Sequence, residues 1–217
     1  MPRARLGNVD EADAGTADLD AVQRAYDSWA RVYIDTFGSA DKASEEDRAL
    51  LTAWASTVVG RVLDAGCGPG HWSGFLHSLG LQVEGVDATA AFVEHAERTH
   101  PGIPFRLGDL RRLDLPPGSL GGILAWFSLI HLDPAEVPEV LARFSAALRP
   151  GGTILLGFFS GDALRAFDHR VVTAWAWPTA RMASALDRAG LEVLTVDEHP
   201  QPSGRVFAEV VARRPLR

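Results

Sequence analysis

The chain has 217 residues, 47% of them hydrophobic, and a formal net charge of −7. That length suits one domain with a core large enough to fold without disulfides, and no apolar run approaches the roughly 18 residues that a membrane helix needs. Its only adjacent basic pairs are Arg111-Arg112 and Arg213-Arg214, too little positive surface for a protein that must hold phosphate backbones, which argues against a nucleic-acid substrate.

Residues 1 to 18 are small, polar and glycine-containing and read as a mobile tail. Their two arginines have no apolar stretch behind them, so no secretory signal is expected. Leu19 to Phe37 places Val22, Tyr26, Trp29, Tyr33 and Phe37 on one helical stripe, and Glu45 to Val59 places Leu50, Leu51, Trp54 and Val58 on a second. Arg61 to Asp64 predicts a short buried strand. Gly66, Gly68 and Gly70 follow at alternate positions, a tight turn where backbone can approach a ligand closely. From His71 the apolar residues Trp72, Phe75, Leu76 and Leu79 fall at helical spacing, closed by Gly80. Strand, glycine turn and helix form the first half of a Rossmann-like nucleotide site. A dinucleotide fingerprint would need glycine at position 71, where His71 stands. Cys67, the only cysteine, suits a reducing compartment, and its small size accounts for its place in the turn.

Leu81 to Asp87 alternates as a second strand, with Asp87 at its tip placed to accept hydrogen bonds from ribose hydroxyls. A helix is expected over Thr89 to Arg98 and a third strand over Ile103 to Leu107, leading into Gly108-Asp109-Leu110. Gly122 to Phe127 is an apolar run typical of a strand buried on both faces, and it breaks into Ser128-Leu-Ile-His-Leu132. Asp133 as N-cap and Pro134 at the first position predict a helix running to Leu148. A fifth strand follows over Thr153 to Phe159. The link from Ser160 to Pro178 is long for a compact domain and carries Phe167, His169, Trp175 and Trp177; these rings either line a substrate pocket or cover the sheet. Glu192 to Glu198 and Arg205 to Ala212 are the last strands, with Pro200, Pro202 and Gly204 marking a turn between them that makes the final strand antiparallel.

Asp64 ahead of the alternating glycines, Asp87, Gly108-Asp109-Leu110, Ser128 to Leu132 and the turn Leu148-Arg-Pro-Gly-Gly152 occur in one order along the chain. Together they resemble the landmarks of the class I S-adenosylmethionine-dependent methyltransferases over roughly residues 20 to 212. The resemblance implies an α/β, Rossmann-like methyltransferase fold: a seven-stranded, mostly parallel sheet in the order 3-2-1-4-5-7-6 with helices on both faces. It implies a single domain over residues 19–217, with 19–59 as an N-terminal helical lid and 160–178 as a substrate-side insertion. It also implies S-adenosyl-L-methionine as cofactor and S-adenosyl-L-homocysteine as product. By the same resemblance the cofactor lies along Asp64, Ala65, Gly66, Gly68, Gly70 and Trp72, at Asp87-Ala88, at Asp109-Leu110 and at Trp126. Tyr26 and Tyr33 close over it. The family's acid at the start of the fourth strand is replaced here by Gly121 and Gly122, which puts the start of that strand in doubt.

A sulfonium makes the transferred methyl electrophilic, so the protein's task is mainly to align a nucleophile and exclude water. An amine acceptor needs no base; a hydroxyl benefits from one, and His131 just past the fourth strand is the candidate. His169, Trp175 and Trp177 are the candidate acceptor contacts. His71, His77, His95, His100 and His199 have no acid or cysteine partner at metal-ligand spacing, so no metal is expected. The expected function is methyl transfer to a small organic acceptor by a cytoplasmic, metal-independent monomer or homodimer acting on neither nucleic acid nor membrane. The alternatives are a non-catalytic S-adenosylmethionine-binding protein and a nucleotide-dependent oxidoreductase. Nothing in the sequence separates O-, N-, C- or S-methylation.

Overall fold

A computed structural model describes residues 30, 32–35, 38–169, 173–201 and 204–216. The expected tail, Tyr26 and most of the first helical stripe lie outside the described residues. The helices are α1 (Glu45–Ala55), α2 (His71–Ser78), α3 (Ala90–Thr99), α4 (Val137–Ala147) and α5 (Thr179–Arg188). The strands are β1 (Arg61–Ala65), β2 (Gln82–Asp87), β3 (Phe105–Leu107), β4 (Leu120–Trp126), β5 (Leu148–Ser160), β6 (Arg165–Phe167), β7 (Ala174–Trp177), β8 (Glu192–Pro200) and β9 (Val206–Arg213).

Strands β3, β2, β1, β4 and β5 lie side by side and parallel. The antiparallel β9 pairs with the far edge of β5, and β8 pairs with β9. The order 3-2-1-4-5-9-8 is the expected 3-2-1-4-5-7-6 with two strands inserted ahead of the last pair. Those two, β6 and β7, form an antiparallel hairpin from the 160–178 link, so the sheet has nine strands where seven were expected. Strand β4 pairs with β5 as far as Gly157, and β7 then pairs in parallel with Phe159 and Ser160. Since β9 occupies the other edge of β5 along Thr153 to Ser160, the hairpin continues in the lane that β4 vacates.

Successive strand residues point to opposite faces, and here both faces are apolar. Leu63, Ile123 and Ile154 face one core beneath α4 and α5; Val62, Leu124 and Leu155 face a second beneath α1, α2 and α3. Burial on both faces is why the central strands read as continuous apolar runs. Trp54 of α1 donates from Nε1 to Oγ1 of Thr153 (3.0 Å), giving its buried indole N–H a partner.

The glycines at the start of β4 have a steric reason. A Cβ at Gly121 would lie 1.9 Å from the Val59 carbonyl oxygen, and one at Gly122 would press on Val58 and Trp54 at 3.0–3.1 Å. The close packing of α1 and its following turn takes the space an acidic side chain would need. The strand starts at Leu120 all the same, and Gly122 pairs with Val62 and Thr153. Other boundaries move. α1 stops at Ala55, short of Val59, and β5 begins at Leu148, ahead of Thr153. α4 starts at Val137 rather than just after Asp133: the Asp133 carboxylate accepts from the amide of Ala135 (2.8 Å), capping a separate turn, and the helix proline is Pro138. Among the described residues no helix is long and apolar enough to cross a membrane.

Candidate cofactor and acceptor site

The glycine turn, Asp87, Asp109 and Trp126 all lie at the carboxyl ends of β1 to β4, the edge where open α/β sheets bind ligands. The three glycines are there for different reasons. Gly66 (φ 79°) faces Ser128, and an added Cβ would sit 2.3 Å from that residue's Cβ. Gly70 (φ 84°) lies against Ala96 and Phe105, where a Cβ would come within 2.7 Å. Gly68 (φ 53°) has nothing within 4 Å of an added Cβ, so here the bare backbone faces open space. The amides of Gly66 and Cys67 both donate to the Val86 carbonyl, tying the turn to β2.

Asp87 holds the turn from the other side. Its carboxylate accepts from the Gly68 amide (2.8 Å, Oδ2) and the Thr89 amide (2.8 Å, Oδ1), so its orientation is fixed before any ligand arrives. Burial raises its pKa against the opposing effect of those amides. Asp64 is 2% exposed and accepts from Ser73 Oγ at 2.6 Å. Its carboxyl is raised to about 7, by burial first, with Ser73 pulling against this and the charge of Asp87 adding to it. Tyr33 lies over this region, its ring 5.2 Å from that of Phe92. Burial and then the charge of Asp87 raise its phenol to about 12, so it stays a neutral hydroxyl. Ala65 closes β1, and Ala88 sits between Asp87 and the start of α3.

Asp109 is in a tighter arrangement than the sequence suggested. The Arg111 guanidinium clasps its carboxylate through Nε and Nη2 at 2.9–3.1 Å and reaches Glu136 with Nη1 at 3.0 Å. Burial pushes the Asp109 carboxyl up, but the bonds from Arg111 outweigh it and the net shift is downward. Leu110 opens the short 3-10 turn that follows.

At the end of β4, Trp126 lies over Gly157, where a Cβ would be 2.7 Å from the indole, and is partly exposed. Trp72 is 4% exposed and meets Trp126 edge-on at 6.3 Å, so it backs the site from the core instead of lining it. Phe127 has φ 53°, the one left-handed non-glycine residue among those described. Such a conformation persists only where the surroundings enforce it, and it concentrates at binding sites. Here its ring packs between Phe159 (5.1 Å) and Phe207 (5.0 Å).

His131 is 7% exposed, and its Nδ1 lies 2.9 Å from the Thr173 carbonyl. A carbonyl can only accept, so Nδ1 carries the proton and Nε2 is the basic nitrogen. Burial lowers its pKa below the ordinary histidine value, although the Thr173 bond opposes this. His169 stands 5.5 Å away, ring to ring, so the hairpin does bring the second candidate histidine to the first. The two tryptophans separate. Trp175 is partly exposed on the hairpin, whereas Trp177 is 3% exposed in the core, with Arg181 stacked on it, and is not a pocket wall.

Sequence reasoning missed Ser73, Ser128, Phe127, Phe207 and Arg205. The strained backbone at Phe127 has no sequence signal. Ser128 had one, its position in the Ser128 to Leu132 motif: its Oγ is buried opposite Gly66 with no hydrogen-bond partner among the described residues. A buried orphan hydroxyl, an open backbone at Gly68 and a pre-oriented carboxylate at Asp87 fit a ligand carrying ribose hydroxyls and polar groups, as S-adenosylmethionine does.

The order of strands and the turn, acid and aromatic positions along one sheet edge define a class I methyltransferase fold. A sequence profile for a methyltransferase domain matches residues 62–152. The chain is 28% identical over 161 residues to a malonyl-[acyl-carrier protein] O-methyltransferase of Erwinia billingiae, covering 74% of this chain and 60% of that one. Its structure matches that of Burkholderia thailandensis 1,6-didemethyltoxoflavin-N1-methyltransferase, bound to 1,6-didemethyltoxoflavin and S-adenosylhomocysteine. The TM-score is 0.77 at 24% identity, over 95% of this chain and 93% of the other. It also matches the [4+2]-cyclase SpnF with a TM-score of 0.78 at 16% identity, over 94% and 98% of the two chains. Residues 62–152 thus match a methyltransferase domain, and the described chain takes the Rossmann-like fold of the class I S-adenosylmethionine-dependent methyltransferases.

Proposed function

We propose that this protein binds S-adenosylmethionine along the glycine turn and Asp87 and transfers its methyl group to a small organic acceptor by in-line displacement. The observation that supports this most is the neighbourhood of the open Gly68 backbone, the pre-oriented Asp87 carboxylate and, one strand over, a histidine held in its basic tautomer by Thr173. The chain spans 60% of the length of the Erwinia relative, so that protein's substrate is not carried over.

The cofactor, when bound, supplies an electrophilic methyl on a sulfonium that becomes a neutral thioether once the methyl is taken. Asp87 accepts from the ribose hydroxyls, the glycine turn lets the ligand approach the backbone, and Tyr33 caps the site near Asp87. Trp126 and Phe127 wall the acceptor side and exclude water. Nε2 of His131 takes the proton of a hydroxyl acceptor; because burial lowers the pKa of this histidine, the neutral form is already present at neutral pH. His169 and Trp175 on the hairpin face the acceptor. We place the protein in the cytoplasm, where its single buried cysteine stays reduced. The test is incubation with methyl-labelled cofactor and a panel of small hydroxyl, amine and thiol acceptors. The expected result is mass gain of one methyl with equimolar S-adenosylhomocysteine.

The likeness to a [4+2]-cyclase favours one second reading, in which the cofactor is bound but not consumed. The same assay separates the two: tight cofactor binding without S-adenosylhomocysteine from any acceptor supports the second.

A further inference from the structure

At the carboxyl ends of β4 and β5 and the amino end of the antiparallel β9 the side chains form one continuous aromatic surface. Phe127 packs on Phe159 (5.1 Å) and Phe207 (5.0 Å), Phe159 packs on Phe167 (5.1 Å), and His169 stands 5.6 Å from Phe159 and 6.3 Å from Phe167. A cluster serving only the core would be buried throughout. Phe159 is, at 6% exposed, but Phe127, Phe167, His169 and Phe207 each keep part of their surface open. The hairpin β6–β7, which supplies Phe167, adds this wall to a sheet that is already complete without it.

One cation sits at the rim of the wall. The Arg205 guanidinium lies 4.9 Å from the Phe167 ring centroid and 5.7 Å from that of Phe159. Among the described residues no carboxylate forms an ion pair with it, whereas Arg61, Arg111, Arg143 and Arg213 all have one. The two ring contacts hold the guanidinium at the wall, and with no carboxylate on it among the described residues its N–H groups can donate to an anion. The chain as a whole carries −7, so it offers anions no general attraction, and any preference for them must come from this local arrangement.

We propose that the acceptor is a planar aromatic or heteroaromatic molecule bearing an anionic group, with its ring against Phe127 and Phe167 and its anion on Arg205. Arg205 is then a specificity-determining residue, and the His131 ring stands beside His169 of the same wall, 5.5 Å between ring centroids. This rests on the methyltransferase reading above, in that the acceptor occupies the space beside the bound cofactor.

The test uses the full chain saturated with S-adenosylhomocysteine and titrated calorimetrically with 3-hydroxy-2-naphthoate and with its neutral carboxamide. The naphthoate should bind at least about tenfold more tightly than the carboxamide, the size of one charge-assisted bond at a partly exposed site. Arg205→Gln should remove that advantage and leave carboxamide binding unchanged, Arg205→Lys should restore part of it, and Phe167→Leu should weaken both ligands. Equal affinity for the two probes, or naphthoate binding unaffected by Arg205→Gln, overturns the proposal. If S-adenosylhomocysteine binds and neither probe does, the acceptor class alone is wrong. If S-adenosylhomocysteine itself does not bind, the methyltransferase reading fails first.

Discussion

The two halves of the sheet edge are built from different materials. On the β1–β3 side nearly every polar group is locked by another: Gly68 and Thr89 amides on Asp87, Ser73 on Asp64, Arg111 on Asp109. On the β4–β9 side the walls are mainly aromatic rings meeting at edges and tilts, with His131 held to the Thr173 carbonyl among them. Fixed donors and acceptors discriminate sharply, because a ligand lacking one partner leaves a buried group unpaired. Rings discriminate by shape and tolerate substitution. The first half is therefore suited to one invariant cofactor and the second to an acceptor that differs from relative to relative.

Breaking each half in turn should give different symptoms. The largest effect is expected on the acceptor side: with a hydroxyl acceptor, His131→Asn should lower turnover by about 10²–10⁴-fold while cofactor affinity stays near wild type. In the wild type the rate should rise with pH and level off on the acid side of the ordinary histidine value, because burial lowers the pKa of this base. On the cofactor side, Gly66→Ala should destabilise the fold itself by about 2–4 kcal/mol, combining a left-handed backbone with overpacking against Ser128; chemical denaturation reads this directly. If Gly66→Ala folded as well as wild type and lost only cofactor binding, the turn would be softer than its packing indicates.

A third expectation concerns pH and stability. The His71 side chain is pushed down to about 4, by burial first and then by the neighbouring His100. Below the unfolded value of 6.5 the unfolded chain binds a proton that the folded chain refuses. Stability from this group is thus full above that value and is lost as pH falls toward 4, with a slope of up to about 1.4 kcal/mol per pH unit. Denaturant titrations between neutral and acid pH should show this decline, and His71→Gln should flatten it. The smallest effect is expected from Gly68→Ala. Nothing obstructs its methyl, so stability should drop by only about 1–2 kcal/mol for the left-handed backbone, while cofactor affinity falls because the methyl projects into the ligand's space.

The same contrast governs how much was legible in the sequence. Glycines at 66, 68 and 70 announce a backbone conformation that other residues avoid, so the turn could be located from residue types alone. β1 and β4 were legible because burial on both faces leaves an unbroken apolar run. The full strand order rested on family resemblance, since no local pattern specifies which strands become neighbours. The hairpin β6–β7 was not legible: its strands are three and four residues long, too short for a period to show. Trp177 was taken for a pocket residue because composition cannot tell a core ring from a wall ring. Arg111 stood out in the sequence only as half of an adjacent basic pair, and its clasp on Asp109 and Glu136 depends on a helix start that Asp133-Pro134 misplaced by a few residues.

The most direct test of the central claim is a calorimetric titration of the protein and its Asp87→Ala variant with S-adenosylhomocysteine, with NADH as the competing ligand class. The account predicts one S-adenosylhomocysteine site in the wild type, weakened in the variant by about 1.5–3 kcal/mol, the worth of hydrogen bonds to a charged acceptor, and no comparable binding of NADH. Equal affinity in both proteins, or tight NADH binding at the same site, would contradict it.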